Sequence, residues 1–507
     1  MNGAASLWKD GVFPRRLFFW LLPFLLVFRF WLAAALPITA DEAYFIWWGK
    51  IPDWGFYDHP PMVGWWLAAQ LLLGEGEAWL RLTSVLQPML LSLAVAWFLP
   101  RIEPGIAEGR RWTAALLVLL SPAFVWNVLI TTDTPLIYFS VLSGLCWLRA
   151  RRDEDLRWYF AAGVFLAGAV LSKYFVAFLG FAYLVDVLLR PHRRAWRGLL
   201  LTYLCCVPGL ALMAWWNAGH CWANYMFNFV NRNSDAHFSW QTPLVYAGTL
   251  LYLLTPPVVW GLMRRMPGPA QRSWGLLAYV PLALFAVLSL EKTVGLHWVL
   301  SFLPFALVLL ALGADTVFLR RVTFFLLGFA VLHVALIVGG SFTRLSAWHS
   351  LKWYDSAVLA FDARKIARRL EPYAADYAFA SNGYADAVTL GYNAGRYFLV
   401  FGEGSSHARH DDILTDFRAL DGRNILILRK SAPAPGEYEP YFRELESKTF
   451  VLDGVTFHQI MGRGFRFDRY RDTVLATVRD RYYRIPAWLP RRACYFCERY
   501  WPEEKCP

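Results

Sequence analysis

The sequence predicts a polytopic α-helical membrane protein with about 11 transmembrane helices, followed by a soluble C-terminal α/β domain. Three observations carry this. Of 507 residues, 57% are hydrophobic and only 17% charged, where soluble domains hold about 25% charged residues. The 26 Trp and 38 Phe are more than so few charges can cover in water. Runs approaching the roughly 20 apolar residues of a spanning helix recur through the first two thirds of the chain and then stop.

In order, these runs lie near 17–36, 79–99, 112–130, 134–148, 158–171, 174–189, 199–216, 243–262, 274–290, 298–318 and 322–340. Residues 1–340 therefore read as the membrane domain. Residues 341–507 are charged, mixed and turn-rich, and read as a soluble domain. There, short β-like runs at 377–381, 397–401, 425–428, 450–452 and 455–460 predict strands. Helical patterns near 384–394, 411–420, 439–446 and 471–484 alternate with them, as in a small α/β domain.

Basic residues set the orientation. With the N-terminus in the cytoplasm, the inside segments hold 19 Lys and Arg and the rest of the membrane domain 6, a strong positive-inside bias. An odd number of spans then puts residues 341–507 outside, in a periplasm. This topology also accounts for most of the formal net charge of +12, so no nucleic-acid partner is expected. A competing reading treats the basic N-terminus, the apolar run and Ile38-Thr39-Ala40 as a cleaved secretory signal. Arg29 inside the run argues against it.

On this topology the polar residues gather on the outer side. Asp41, Glu42, Trp47, Tyr57, Asp58 and His59 follow the first span. Asp133, Lys173, the loop 217–240 with Arg232 and Asp235, and the loop with Glu291, Lys292 and His297 join them. Ionisable groups near a membrane are expensive and usually paired or functional. Both signs together suggest an active site whose cations hold an anion while a carboxylate handles a proton. There is no phosphate-binding loop, dinucleotide fingerprint, H-E-x-x-H or G-x-S-x-G motif. An outward-facing enzyme would take an activated group from a membrane lipid.

The Asp41-Glu42 pair, Tyr57-Asp58-His59-Pro60-Pro61, Thr131-Thr132-Asp133-Thr134-Pro135 and Leu171-Ser172-Lys173-Tyr174, in this order, resemble the GT-C glycosyltransferases. The branch is that of protein O-mannosyltransferases and ArnT-type lipid A aminoarabinose transferases, and the resemblance covers about residues 15–340. It implies a GT-C-type fold and transfer of a sugar from a polyprenyl-phosphate donor to an acceptor at the outer face.

The resemblance gives Asp41 the role of catalytic base. The residue type alone fits equally an N-cap for a helix starting near Ala43. Glu42 reads as a partner of the base, a metal ligand or a first-turn acid. Asp133 supports the base, binds a metal or caps the fourth helix. His59 stands where ArnT-type relatives usually carry Lys, which puts its contact with the donor phosphate in doubt; a plain turn before Pro60-Pro61 is the alternative. Lys173 either meets the donor phosphate or snorkels to headgroups, and Arg232 and Lys292 are similar candidates. Asp58, Tyr57, Trp47 and His297 are candidates for acceptor or sugar binding, with Trp47 equally at home in an interfacial belt. Arg29 faces the same cavity or snorkels. No cofactor is required; a divalent metal on Asp41, Glu42 and Asp133 is compatible with these residues but not demanded by their spacing.

Cys146, Cys205 and Cys206 lie in or near spans, whereas Cys221, Cys494, Cys497 and Cys506 lie outside, where oxidation is permitted. Cys494-x-x-Cys497 with Cys506 predicts one disulfide with a spare thiol, or a zinc site needing a fourth ligand.

The expected protein is thus a bacterial inner-membrane glycosyltransferase, acting as a monomer with membrane lipids around it. Its donor is a sugar on undecaprenyl phosphate, and its acceptor is lipid A, lipopolysaccharide core or another glycolipid. Protein O-glycosylation is the alternative within the class. A lipid or sugar flippase is the rival outside it, but transport sites favour mid-span charges in repeated halves, and no repeat is visible here.

Overall fold

A computed structural model describes residues 8, 10–233, 237–264, 268, 271–490 and 492–503. Asp235 and Cys506 lie outside the described residues. The chain divides into two compact units. One comprises Met1–Leu36, Gln70–Ala211 and Ala236–Ser341, and the other Pro37–Ala69, Leu212–Asp235 and Phe342–Pro507.

The first unit is helical. Val12–Ala35, Glu77–Ile102, Arg193–Gly219 and Thr316–Ser341 are long and apolar enough to cross a membrane. Leu156–Val170, Tyr174–Leu189, Arg272–Leu288 and Leu303–Gly313 are shorter apolar helices. Leu303–Gly313 is buried along nearly its whole length, as expected of a helix apolar on every side. Val12–Ala35 instead turns Trp20, Phe24 and Val27 outward, which only an apolar surrounding tolerates at low cost. Gly163 permits close helix packing: a Cβ there would sit 2.9 Å from the Thr202 Cα.

Three predicted runs depart from single straight helices. The run 243–262 breaks into Gln241–Leu254 and Pro256–Met263, bent by 99°. Two prolines at 256 and 257 supply no backbone N–H and push Thr255 out of the helical region, and its φ is +67°. The run 112–130 ends as the Glu108–Leu119 helix and restarts briefly as Pro122–Trp126, again at a proline. The run 298–318 yields the Leu303–Gly313 helix after a 3-10 turn at Leu296–Val299.

Arg29 neither snorkels nor faces a cavity. It is buried, and its guanidinium donates to the carbonyls of Val85 at 2.9 Å, Asn127 at 2.7 Å, Phe124 and Ser84. Arg81, also buried, donates to the carbonyls of Ala33 and Leu36, each at 2.7 Å. Their cost of burial is offset by these backbone carbonyls, among them that of Ser84, which Pro88, having no N–H, leaves without its helical donor.

The second unit is built on a five-stranded mixed sheet. Its strands are β1 (Ala378–Ser381), β2 (Leu399–Val400), β3 (Ile425–Arg429), β4 (Glu444–Leu452) and β5 (Val455–Arg463), in the order β2-β1-β3-β5-β4. β1 lies parallel to β2 and β3, whereas β5 runs antiparallel to β3 and β4. β3 is buried on both faces, as its unbroken apolar run requires. Leu426 and Leu428 pack with the Tyr354–Leu370 and Tyr384–Ala394 helices. Ile425 and Ile427 join a second core with Tyr57, Trp222, Phe227, Tyr470 and Phe496. Tyr57 and side chains between Ala218 and Phe227 thus pack in the core on one face of this sheet.

The pattern at 439–446 is not a helix. One 3-10 turn at Glu439–Tyr441 leads into β4, whose nine residues pair with β5 across the Asp453-Gly454 turn. Antiparallel pairing outweighs the local helical pattern there. The cysteines also pair differently from the prediction: Cys221 is bonded to Cys494, 273 residues away. Cys497 is also in a disulfide, so neither Cys494 nor Cys497 is left as the spare thiol or free to bind zinc. Cys146, Cys205 and Cys206 are free.

Candidate active site

The Ala40–Lys50 helix positions Asp41. Its N-cap is Thr39, whose hydroxyl accepts the Glu42 N–H, while Glu42 Oε2 accepts from the Thr39 N–H at 3.0 Å. This is a reciprocal capping box, and Glu42 within it is fully buried. The predicted cap at Asp41 is therefore corrected: Thr39 and Glu42 satisfy the helix end, and Asp41 in the first turn is exposed. Its Oδ1 accepts a hydrogen bond from the Tyr384 hydroxyl at 3.1 Å.

One turn further on, Tyr44 faces the same way as Asp41. The Tyr44 hydroxyl donates to Asp58 Oδ1 at 3.3 Å and accepts from the His410 backbone N–H at 3.0 Å. Asp58 is buried. Burial first, and the charge of Asp41 as a lesser cause, raise its carboxyl to about 7, with Arg232 opposing the rise. The loop carrying Asp58 is fixed by two amides: Asn224 donates to the Phe56 carbonyl at 2.8 Å and Asn228 to the Asp58 carbonyl at 3.0 Å. Tyr57 is fully buried in the core beside the sheet. A buried phenol there serves packing rather than contact with a ligand from solvent. His59 is half-buried, its ring edge-on to Phe45 and Trp48. Trp47 meets the ring of Tyr397 and the ammonium of Lys50.

Beside this helix is a cavity of about 20 Å³ lined by Tyr44, Trp48, Tyr384, His410 and Asp411 among others, enough for about one water. Burial, with His220 a lesser cause, pulls His410 down to about 3, so its imidazole is neutral. Its Nδ1 is buried with no hydrogen-bond partner among the described residues. Burial and the neighbouring Asp412 push the Asp411 carboxyl up. Asp412 itself is held by Arg409 at 2.8 and 3.1 Å.

In the helical unit, Asp133 opens the Asp133–Asp153 helix. Lys173 Nζ lies 3.0 and 2.9 Å from its two carboxylate oxygens. His297 Nε2 is 3.8 Å from the same carboxylate and half-exposed. Lys292 is half-buried in the bend after the Arg272–Leu288 helix. Among the described residues, no three His, Cys, Asp or Glu side chains are grouped so as to hold a metal ion.

Sequence reasoning missed Tyr44, Tyr384 and His410. Tyr44 was accessible, since it lies three residues after Asp41 on a helix. Tyr384 and His410 come from segments more than 340 residues away, and no spacing announces them.

Two crystal structures have this architecture along nearly their whole length. ArnT from Cupriavidus metallidurans in the apo state superposes with a TM-score of 0.61 and 15% identity, covering 87% of this chain and 97% of that one. The same protein bound to undecaprenyl phosphate gives 0.59 and 15%, covering 88% and 97%. The chain has the GT-C, ArnT-like fold. The family model of dolichyl-phosphate-mannose-protein mannosyltransferase matches residues 58–216 of this chain, a stretch that contains Asp58, His59, Asp133 and Lys173. A lipid A galacturonosyltransferase of Rhizobium johnstonii, RgtD, is 26% identical over 278 residues, 52% of this chain and 56% of the relative. The match spans just over half the length of that relative.

Proposed function

We propose that this chain is a membrane glycosyltransferase that moves a sugar from a polyprenyl phosphate to a glycolipid of the lipid A type. Support comes from the fold shared with an ArnT crystallised with undecaprenyl phosphate, and from the sequence relationship to a lipid A galacturonosyltransferase. The observation that carries the reading is the exposed Asp41 carboxylate, mounted on a capped helix and hydrogen-bonded on one oxygen.

In this reading Asp41 takes the proton of the acceptor hydroxyl. The acceptor oxygen then attacks the anomeric carbon, and the bond to the donor phosphate breaks with its electron pair leaving on phosphate. Displacement in one step inverts the anomeric centre. The departing phosphate needs positive charge, for which Arg232, His59, Lys173 and Lys292 are the candidates. Asp133 holds Lys173 in place, Glu42 fixes the helix that carries the base, and Asp58, Trp47 and His297 are the residues assigned to acceptor or sugar, whereas Tyr57 packs in the core beside the sheet.

The same reading includes eleven spans over 1–340, a cytoplasmic N-terminus, an extracytoplasmic domain at 341–507, a bacterial inner-membrane location and a monomer. It is supported by the placement of basic residues and the run of apolar helices. Mass spectrometry of lipid A, core oligosaccharide and envelope proteins from cells with and without the gene tests it. Loss of one sugar mass from lipid A or core is expected. A change confined to envelope proteins would move the acceptor to protein, and no change in any fraction would reject sugar transfer.

A further inference from the structure

The C-terminal segment reaches the candidate base directly, and this suggests a role for it beyond covering the outer face. Tyr384 opens the Tyr384–Ala394 helix, which packs on the Ala40–Lys50 helix. Its ring lies 5.8 Å from that of Tyr44, and its hydroxyl donates to Asp41 Oδ1 at 3.1 Å. We propose that Tyr384 is a positioning residue for Asp41, holding one carboxylate oxygen so that the other is presented to the acceptor hydroxyl. This rests on the glycosyltransferase reading above.

The argument is geometric. An exposed aspartate rotates freely about its two side-chain torsions, and a base is effective only within hydrogen-bond reach and alignment of the proton it takes. One fixed donor on Oδ1 removes most of that freedom. Tyr384 can serve because it is itself held: its helix start is anchored against Tyr44, and the His410 N–H bonded to Tyr44 fixes the same surface from a second segment. Burial and the charge of Asp41 keep the Tyr384 hydroxyl well above the usual tyrosine range, so it remains a donor at working pH. In the transfer step the acceptor O–H bond breaks and an O–H bond to Asp41 Oδ2 forms. The proton of Tyr384 stays on Tyr384 throughout.

Tyr384→Phe keeps the ring and its packing and removes only the donor. With polyprenyl-phosphate-linked galacturonic acid and purified lipid A as probes, the variant is expected to lose about tenfold or more in kcat with KM for both substrates unchanged. p-Aminophenylalanine at position 384 keeps ring and donor and is expected to restore kcat to within about threefold of the wild type. Unchanged kcat in Tyr384→Phe, a loss carried equally by KM, or no rescue by the amino analogue would each overturn the proposal. Asp41→Asn assayed alongside separates the two levels. Normal turnover in that variant rejects the base itself, whereas an inactive Asp41→Asn beside a fully active Tyr384→Phe rejects only the role of Tyr384.

Discussion

Lys173 Nζ is held between the two carboxylate oxygens of Asp133, at 3.0 and 2.9 Å, with both side chains buried. The cation expected to meet the donor phosphate is therefore already paired with a carboxylate in the folded chain. A phosphate contact at Lys173 has to share it with Asp133, which makes Asp133 a setter of the Lys173 position rather than a second base.

Breaking such a buried pair from one side leaves an uncompensated charge, at a cost of roughly 3–5 kcal/mol. Asp133→Asn and Lys173→Met are each expected to lower the thermal midpoint of the detergent-solubilised protein. The double variant should recover most of the stability, because the two effects are strongly non-additive. Sugar transfer should stay low in the double variant. Full transfer with restored stability would make the pair purely structural.

Asp58 gives a pH signature. Its folded-state value of about 7 stands above the ordinary carboxylate value of 3.8, so the folded state binds this proton more tightly than the unfolded one. The stability this contributes is fully present below about pH 4 and is lost as pH rises through 7. Asp58→Asn keeps the neutral shape and is expected to stabilise the protein by roughly 3 kcal/mol more at pH 8 than at pH 5. Denaturation midpoints at the two pH values read this directly, and an equal effect at both would mean that Asp58 is ionised throughout.

Glu42 can be separated from Asp41 by a conservative change. Glutamine completes a capping box as glutamate does, so Glu42→Gln should keep stability and transfer within a few fold. Glu42→Ala should cost about 1 kcal/mol and reduce transfer through the loosened helix start. A collapse of activity in Glu42→Gln with normal stability would give Glu42 a chemical role of its own.

The Cys221–Cys494 bridge ties the 212–235 segment to the end of the chain. Peptide mapping without reduction should recover residues 221 and 494 in one linked fragment. Cys494→Ser is expected to cost about 2–5 kcal/mol of stability. Recovery of Cys494 linked to Cys497 instead would contradict the pairing.

What the sequence made legible follows from how local each signal is. The Ala40–Lys50 helix with its acidic first turn, the apolar runs, the strand at 425–429 and the helix at 384–394 are each written in a dozen or so neighbouring residues. The Asp41–Glu42 pair could be found, but its division of labour could not, since Thr39 as the cap is a matter of backbone angle. The break at Thr255 follows from Pro256-Pro257. Tyr384 against Asp41, His410 against Tyr44 and Cys221 with Cys494 are pairings across hundreds of residues, and nothing short in the sequence encodes them. The Tyr354–Leu370 helix is absent from the predicted patterns, although Val358, Leu359, Ile366 and Leu370 mark its buried side.

The most direct test is sugar transfer by Asp41→Asn in membranes, with lipid A as acceptor and the variant shown to be folded by its thermal midpoint. Asp41 is exposed and outside the capping box, so the midpoint should match the wild type while transfer falls by about 10² to 10⁴. A folded Asp41→Asn protein that modifies lipid A at the wild-type rate would contradict the account.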